Sequence, residues 1–525
     1  MNSRKYYKTK IKENRKTIIL LSFFSVLASL FSVTFAYISK FLIDNFNNKN
    51  KIIIYSIILF SICLIEILIE IIKTHYSFKK TLKLEIEIKE DLFDSLLYKD
   101  FKKIKDNSDS DILSTITNDS KIIANGIISF IPRVVTLISS IISSLIFLYF
   151  IDYIFASILL LSGIIIFFIS KPLRKKNKAL SKIVQQDEAN LLSFYNESIT
   201  NLLILKVFNN KNKNKKREQT SNNNLYNSRL NRANFNIKVS GMFSFLSRLA
   251  YLITILYAVI MLYNKPGFLS AGSLIAIIQL VAKIEGPFMN LSGILPSYYQ
   301  TLASIDRLEN INQIENDHKE TLNEFNYLEG IDVSFSYNQK EVIHNLSFKI
   351  NKGDFVIIKG ESGSGKTTLI KLIMGLYKTS SGSIKFNGDI DSYTIKDIYS
   401  YVPQNNFIFN GTIEENLLIF SDINNKTIIN NTLDIVGLSK YKNELDTLVF
   451  DLNKGLSEGE LQRLSVARAL LSNKEILVLD EATSALDLTN EINLLNNLKT
   501  LNKTIIFITH KEFNEVFSNN IIEVK

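Results

Sequence analysis

The sequence predicts two joined folds: a membrane α-helical domain of six transmembrane helices, then an α/β domain built around a phosphate-binding loop. Three observations carry this. Long apolar runs crowd the chain before residue 300. Short β-rich runs alternating with helical stretches take over after about residue 322. The glycine-rich string GESGSGKTT follows one of those β-rich runs directly. At 525 residues the chain exceeds one ordinary domain, and each part is long enough to bury a core.

The first apolar run, residues 17–38, carries no charge. At about 1.5 Å per residue it spans about 33 Å, enough for a hydrocarbon core of about 30 Å. A secretory signal has a shorter apolar stretch, so this run is read as a membrane helix. The others lie near 52–72, 134–151, 153–170, 243–263 and 273–297. The third and fourth meet at a short turn around Asp152, which predicts a helical hairpin. The sixth is broken by Lys283, Glu285 and Pro287.

The charges set the orientation. Segments 1–16, 73–121 and 171–238 hold 32 Lys and Arg, whereas 40–51, the turn at 152 and 263–272 hold 4. Basic loops stay inside, so both termini and the two long loops are expected in the cytoplasm. The net charge of +10 is thereby explained by topology, and nucleic acid is not expected as a partner. One cysteine, Cys63, excludes an intramolecular disulfide and a Cys-rich metal site. Abundant Ile, Asn, Lys, Phe and Tyr, all with AT-rich codons, suggest a bacterial source. The long loops mix apolar and charged positions at helical spacing over 76–105 and 173–208, with turn-forming clusters near 106–111 and 207–215. The membrane helices are therefore expected to continue into the cytosol.

In the second half, Gly360-Glu361-Ser362-Gly363-Ser364-Gly365-Lys366-Thr367-Thr368 matches GxxxxGK[ST]. Glycines let the backbone curl so that its N–H groups face phosphate oxygens, and the following helix adds its positive end. Lys366 should reach the β- and γ-phosphates, and Thr367 should ligate Mg²⁺. Asp480 and Glu481 end the apolar run EILVLD (475–480). Asp480 is placed to hold Mg²⁺, and Glu481 is a candidate general base for an attacking water.

With these motifs in order, residues 325–525 resemble the nucleotide-binding domain of ATP-binding cassette proteins, which carries a helical subdomain. Tyr337 in VSFSY stands where the family stacks an aromatic on adenine. Gln404 in YVPQ matches the glutamine that touches Mg²⁺ and senses the membrane domain. LSEGELQR (456–463), with Ser457 and Gly459, occupies the signature position. Ser484 to Asp487 matches the segment called the D-loop, and His510 matches the histidine that contacts the γ-phosphate. The first half resembles the exporter-type membrane domain of the same family, with 109–123 and 201–210 similar to its two coupling regions. The domain boundaries expected are 1–315 for the membrane domain, 316–324 for a linker and 325–525 for the cassette.

The resemblance implies a half-transporter in the cell membrane that binds ATP and Mg²⁺. In this family the signature of one subunit covers the nucleotide of the other, so a second half-transporter is required. A homodimer is favoured, with a heterodimer as the alternative. Export of an amphiphile (lipid, drug or peptide) is the function implied. An importer or a regulatory, channel-like protein is the alternative, and a soluble cassette ATPase conflicts with the apolar runs. The signature departs from LSGGQ: Glu458 replaces a glycine and Glu460 the glutamine. Ser457 and Glu460 make the S-x-x-E pattern of a helix cap, and Glu458 is expected to point away from phosphate. Glu66, Glu70, Lys283 and Glu285 are ionisable groups in membrane runs, where charge is costly. Pairing among helices, with Arg248 as a partner, is the preferred reading, and contact with substrate is the alternative.

Overall fold

The computed structural model describes residues 5–524 apart from 107–108, 209–210, 265–268, 318–319, 321, 323, 338–339, 362, 406, 424 and 450–455. The side chains of 110, 162, 164, 166–167, 170–171, 174, 247, 285–296 and 512–514 also lie outside the described set. The chain forms two compact units, Met1–Asp94 with Ser110–Asn312, and Ser95–Asp109 with Gln313–Lys525.

The first unit is helical. It contains α1 (Lys5–Glu13), α2 (Arg15–Asp44) and α3 (Lys49–Leu97). After α4 (Phe101–Lys105), which belongs to the second unit, come α5 (Asp109–Ser114), a π-helical turn (Thr115–Asp119) and α6 (Ser120–Ile151). Then follow α7 (Tyr153–Thr200), α8 (Leu202–Val207), α9 (Lys211–Asn264) and α10 (Ala271–Asn312). Every apolar run read from the sequence falls inside one of α2, α3, α6, α7, α9 and α10. Among the described residues, four helices are long and apolar enough to cross a membrane: Arg15–Asp44, Lys49–Leu97, Asp111–Ile151 and Lys211–Asn264. A shorter apolar helix covers Ala271–Ile284. The 49, 48 and 54 residues of α3, α7 and α9 make rods of about 70–80 Å, well over twice the hydrocarbon thickness.

Helices α2, α6 and α10 pack on one another, and α7 packs along α9. Lipid is as apolar as leucine, so close backbone approach rather than hydrophobicity holds such helices together. Accordingly α2 buries Ser25, Ser29, Ser32, Ala36 and Ser39, a stripe of small side chains at three- and four-residue spacing. Gly126 on α6 meets α10 so closely that a Cβ there would lie 2.3 Å from Thr301 Cγ2. Polar clasps sit at the helix ends. Asp44 accepts from Ser270 Oγ (2.7 Å) and the Gly272 N–H (2.9 Å), fastening the end of α2 to the start of α10. Asp152 caps α7 through the Ile154 N–H (2.8 Å) and accepts from Tyr257 Oη on α9 (3.2 Å). Asp119, 2% exposed, accepts from Arg307 Nε (2.7 Å), Arg307 Nη2 (2.6 Å) and Ser304 Oγ (2.7 Å), joining the π-helical turn to α10.

Among the described residues the second unit holds three sheets. Strands β1 (Tyr327–Tyr337) and β2 (Lys340–Asn351) pair antiparallel. β3 (Phe355–Lys359) leads through the phosphate loop into α11 (Lys366–Ile373). β4 (Ser381–Phe386), β5 (Ile390–Asp391), β6 (Tyr399–Val402) and β7 (Gly411–Thr412) precede α12 (Ile413–Leu418), α13 (Lys426–Ile435) and β8 (Leu448–Val449). α14 (Glu458–Leu471), β9 (Ile476–Asp480), α15 (Leu488–Lys499), β10 (Thr504–Ile508) and β11 (Asn520–Glu523) close the chain. The antiparallel sheet runs β2-β1-β4-β5, and a parallel sheet runs β11-β3-β10-β9-β6. All five residues of β9 and of β10 are buried, as expected for parallel strands covered on both faces.

Ser95–Asp109 belongs to this unit although it runs from the last turn of α3 through α4 to the start of α5. The Asp100 N–H donates to Glu315 O (3.0 Å), and Asp317 N–H donates to Tyr98 O (2.8 Å). Asp100 caps α4 by accepting from the Lys103 N–H (2.9 Å) and also accepts from Tyr393 Oη. Burial and that contact push the Tyr393 hydroxyl well above its ordinary pKa. Phe101 lies 6.3 Å from the Tyr377 ring. The segment carried on the cassette side thus precedes 109–123, the stretch the family resemblance singled out. The residues after Asn312 also make specific contacts: Asp317 pairs with Lys396 at 2.5 Å, and the Glu320 N–H donates to Thr394 O (2.9 Å).

Candidate functional site

A parallel sheet places the carboxyl ends of its strands at one edge, and ligands bind there. Register brings Ile358, Ile508, Asp480 and Val402 to that edge from β3, β10, β9 and β6. The residues that follow each strand converge as a consequence: the phosphate loop after β3, His510 after β10, Glu481 after β9 and Gln404 after β6.

The loop is built by glycine. Gly360, Gly363 and Gly365 have φ of +156°, +85° and +100°. At Gly360 the requirement is also steric, because a Cβ would lie 2.2 Å from Val524 O. Lys366, 6% exposed, begins α11 and donates from Nζ to the carbonyls of Gly360 (2.9 Å) and Glu361 (2.7 Å). Burial lowers the pKa of its ammonium, with Glu481 and Asp480 opposing the shift. Ser364 Oγ is buried without a hydrogen-bond partner among the described residues, a polar atom in want of a ligand. Thr367 is exposed, Thr368 is buried, and Ser362 lies outside the described residues. Tyr337 Oη lies 3.4 Å from Thr368 Oγ1, and the Tyr337 ring stands edge-on to Phe335 (5.0 Å) and Tyr377 (5.8 Å).

Glu481 sits at the centre. Its φ of +51° is the left-handed region, which costs a non-glycine residue about 1–3 kcal/mol and marks functional positions. Gln404 Nε2 donates to Glu481 Oε2 (2.7 Å), and His510 Nε2 lies 3.0 Å from Glu481 Oε1. The carboxylate is thus gripped from both sides. Asp480 is 2% exposed; burial raises its pKa, and a hydrogen bond from Tyr401 Oη (3.1 Å) to Oδ2 works in the other direction. Thr367, Gln404 and Asp480 offer a hydroxyl, an amide oxygen and a carboxylate, an all-oxygen set suited to Mg²⁺ sharing phosphate and water ligands. Among the described residues no group of three or more His, Cys, Asp or Glu is placed to hold a metal ion by itself.

The signature residues form a second group. Ser457 caps α14: Ser457 N–H and Oγ both donate to Glu460 Oε2 (2.8 Å each), while Ser457 Oγ accepts from the Glu460 N–H (3.4 Å). Gly459 lies against the D-loop, where a Cβ would come within 3.2 Å of Ala485 O. Asp487 precedes α15 and accepts from Asn490. No hydrogen bond among the described residues links Ser457, Gly459 or Asp487 to the phosphate loop.

Sequence reasoning missed three residues that organise these groups. Gln462, 1% exposed, donates from Nε2 to Ser484 Oγ (3.0 Å) and accepts from the Ala485 N–H (3.0 Å), pinning the D-loop to α14. Buried Glu491 accepts from Thr483 Oγ1 (2.7 Å) and Lys511 Nζ (2.5 Å), tying the D-loop helix to the residue after His510. Tyr401, already described, is the third. The only signal for Gln462 is its place one turn into the helix begun by Ser457.

The candidate substrate residues stay in the first unit. Glu70 pairs with Lys73 on its own helix at 2.5 Å, instead of across helices. Glu66 is half-buried, and Lys283 and Arg248 are exposed. No ion pair among the described residues joins them, and the Glu285 side chain lies outside the described set.

Comparison with known proteins finds matches to both parts of the chain. A family described as the ABC transporter transmembrane region matches residues 17–288, and one described as ABC transporter matches 343–484. A putative export ATP-binding/permease protein of Rickettsia typhi is 29% identical, over 94% of this chain and 89% of its own. The lactococcin-A transport/processing ATP-binding protein of Lactococcus lactis is 30% identical over 54% of this chain and 42% of its own. A solved structure of a bacterial Atm1-family ABC exporter with ATP bound superposes with a TM-score of 0.84, covering 98% of this chain and 94% of its own at 18% identity.

Proposed function

The chain belongs to the ABC transporter family as an exporter-type half-transporter, and from that premise we propose that two identical copies export an amphiphile by alternating access, driven by ATP. The observation that carries this is the Gln404–Glu481–His510 group beside the phosphate loop, while Ser457 and Gly459 of the same chain engage only their own surroundings. The signature must then serve a nucleotide held by another copy. The domain reading is 1–315 for the membrane domain, 316–324 for the linker and 325–525 for the cassette, except that Ser95–Asp109 and the residues from Gln313 belong to the cassette's compact unit. Both termini lie in the cytoplasm of a bacterial cell whose plasma membrane the chain crosses several times.

Phosphate oxygens replace the Gly360 and Glu361 carbonyls as partners of Lys366. Tyr337 stacks on adenine, and the loop N–H groups from Gly363 to Thr368 cradle phosphate. Thr367, Gln404 and Asp480 would hold Mg²⁺, which would supply positive charge against the phosphates of ATP. Glu481 accepts the proton of the attacking water as the new O–P bond forms and the bond to the β-phosphate oxygen breaks. Gln404 and His510 hold the Glu481 carboxylate in place, and His510 also reaches the γ-phosphate. Loss of that phosphate removes the bridge between copies, so ATP and ADP favour different states. Glu66 and Glu70 attract the cationic end of the cargo from the cytoplasmic end of the membrane run 52–72 in α3, and Lys283 and Glu285 contribute from α10.

The test is ATP turnover of the purified chain in lipid beside Glu481→Gln, with amphiphiles screened for stimulation. The expected result is activity in the chain alone that disappears in the variant. Uptake into inside-out vesicles checks direction. No activity without a second, different half-transporter would overturn the homodimer.

A further inference from the structure

We infer that Lys440 is a positioning residue that neutralises Glu460 so that the signature can receive the triphosphate of a partner copy. The inference rests on the paired-copy reading above. Its starting point is local. Position 460 carries a full negative charge one helical turn from Ser457, and the Ser457 hydroxyl spends its proton on Glu460 Oε2 at 2.8 Å. A carboxylate there opposes a polyanion twice: it repels phosphate, and it competes for the donor that phosphate would need.

The structure contains the counterweight. Lys440, in the short helical turn Ser439–Asn443, contacts Glu460 Oε1 through Nζ. The same Lys440 Nζ lies 4.7 Å from the Tyr441 ring centre, and Tyr441 Oη donates to Glu460 Oε1 (3.2 Å). One carboxylate oxygen is thus occupied by Lys440 and Tyr441, and the other by the N–H and hydroxyl of Ser457. The Glu460 side chain is 13% exposed while that of Lys440 is 63% exposed, so the acid is enclosed and its base comes from the surface. Burial disfavours the charged Glu460, yet the hydrogen bonds from Lys440 and Ser457 prevail and hold its carboxyl down at about 2. It stays ionised at every physiological pH, so neutralisation has to come from a cation. With Lys440 in place the pair presents no net charge, and the Ser457 hydroxyl can turn from carboxylate to phosphate without leaving a bare anion behind. Glu458, exposed and without a hydrogen bond among the described residues, leaves its charge in water and needs no such partner.

The experiment is a double-mutant cycle in the full chain in lipid, reading the ATP concentration that half-saturates turnover. Lys440→Met should raise that concentration at least fivefold. Adding Glu460→Gln should bring it back to within twofold of wild type, and Lys440→Arg should stay within twofold. A capping role alone predicts no defect in Lys440→Met, because Glu460 still caps Ser457 without the lysine. The fivefold defect should also shrink as salt rises, since charge repulsion is screened. A flat response to Lys440→Met, or a double variant as impaired as the single, overturns the inference. In either case Glu481→Gln run alongside separates the readings. Activity abolished there with a flat Lys440 cycle leaves the site assignment standing and sinks only this inference. A wild-type chain inactive by itself overturns the paired-copy reading and this inference together.

Discussion

The cassette and the membrane unit satisfy their side chains in opposite ways. In the cassette, β9 and β10 bury every residue, and the polar groups at their ends find partners within the same chain. In the membrane unit, the most apolar window of α3 is only 6% buried, with Ile57, Phe60 and Leu68 each more than half exposed. One fold is closed on itself; the other leaves apolar surface for lipid or a second copy to cover. Stability should therefore reside in short polar clasps in the membrane unit and in a continuous apolar core in the cassette, with catalysis as the exception that uses strain.

The largest test of that contrast is Glu481→Gln. If the cassette is closed within one chain, ATP binding should persist while turnover falls about 10²–10⁴-fold, the usual share of a general base. Nucleotide binding and phosphate release, measured together, check it; loss of binding would show that Glu481 holds the loop together. Next comes Arg307→Ala. Asp119 would be left buried and unpaired, at a cost of roughly 3–5 kcal/mol. Thermal melting in detergent should show a large drop, with Arg307→Lys intermediate. Gln462→Ala should cost about 1–3 kcal/mol by stranding the Ala485 N–H, and should slow turnover with little change in nucleotide affinity. The smallest effect concerns acid. Glu460 has a folded-state pKa depressed to about 2, from an ordinary value of 4.5. Its stabilisation is present above about 4.5 and is lost as pH falls through the folded value near 2. The melting difference between wild type and Glu460→Gln should accordingly be full at pH 7 and fade between pH 4.5 and 2.

How much of this was legible in the sequence follows from the same contrast. The apolar runs fell on helices because bilayer thickness imposes a length that composition cannot hide. The phosphate loop was legible because its chemistry needs contiguous glycines and a lysine. Asp480 and Glu481 were readable at the end of an apolar strand, whereas Gln404 and His510 were readable only from their place in the family's ordered motifs. Partnerships between distant segments left no periodic trace. Asp119 with Arg307, Gln462 with Ser484 and Ala485, and Lys440 with Glu460 join residues that only the folded chain brings together. The choice of Lys73 by Glu70 was local, three residues on, yet cross-helix pairing was preferred because buried charge usually seeks a partner on a neighbouring helix.

The allocation of Ser95–Asp109 to the cassette unit has a consequence in time. This piece is synthesised early, and the last residue of the unit it completes is made 416 residues later, at position 525 against 109. At about 5–20 residues per second, the interval is on the order of 20–80 s. Within it Phe101 waits 276 residues, from 101 to 377, for the aromatic partner Tyr377, and Asp100 waits 293, from 100 to 393, for the hydroxyl of Tyr393. Assembly of the transporter thus ends with a docking step between the earliest loop and the newest domain. Substitutions at Asp100 or Phe101 should register first as a lower yield of mature protein in the membrane, before any change in the activity of the molecules that get there.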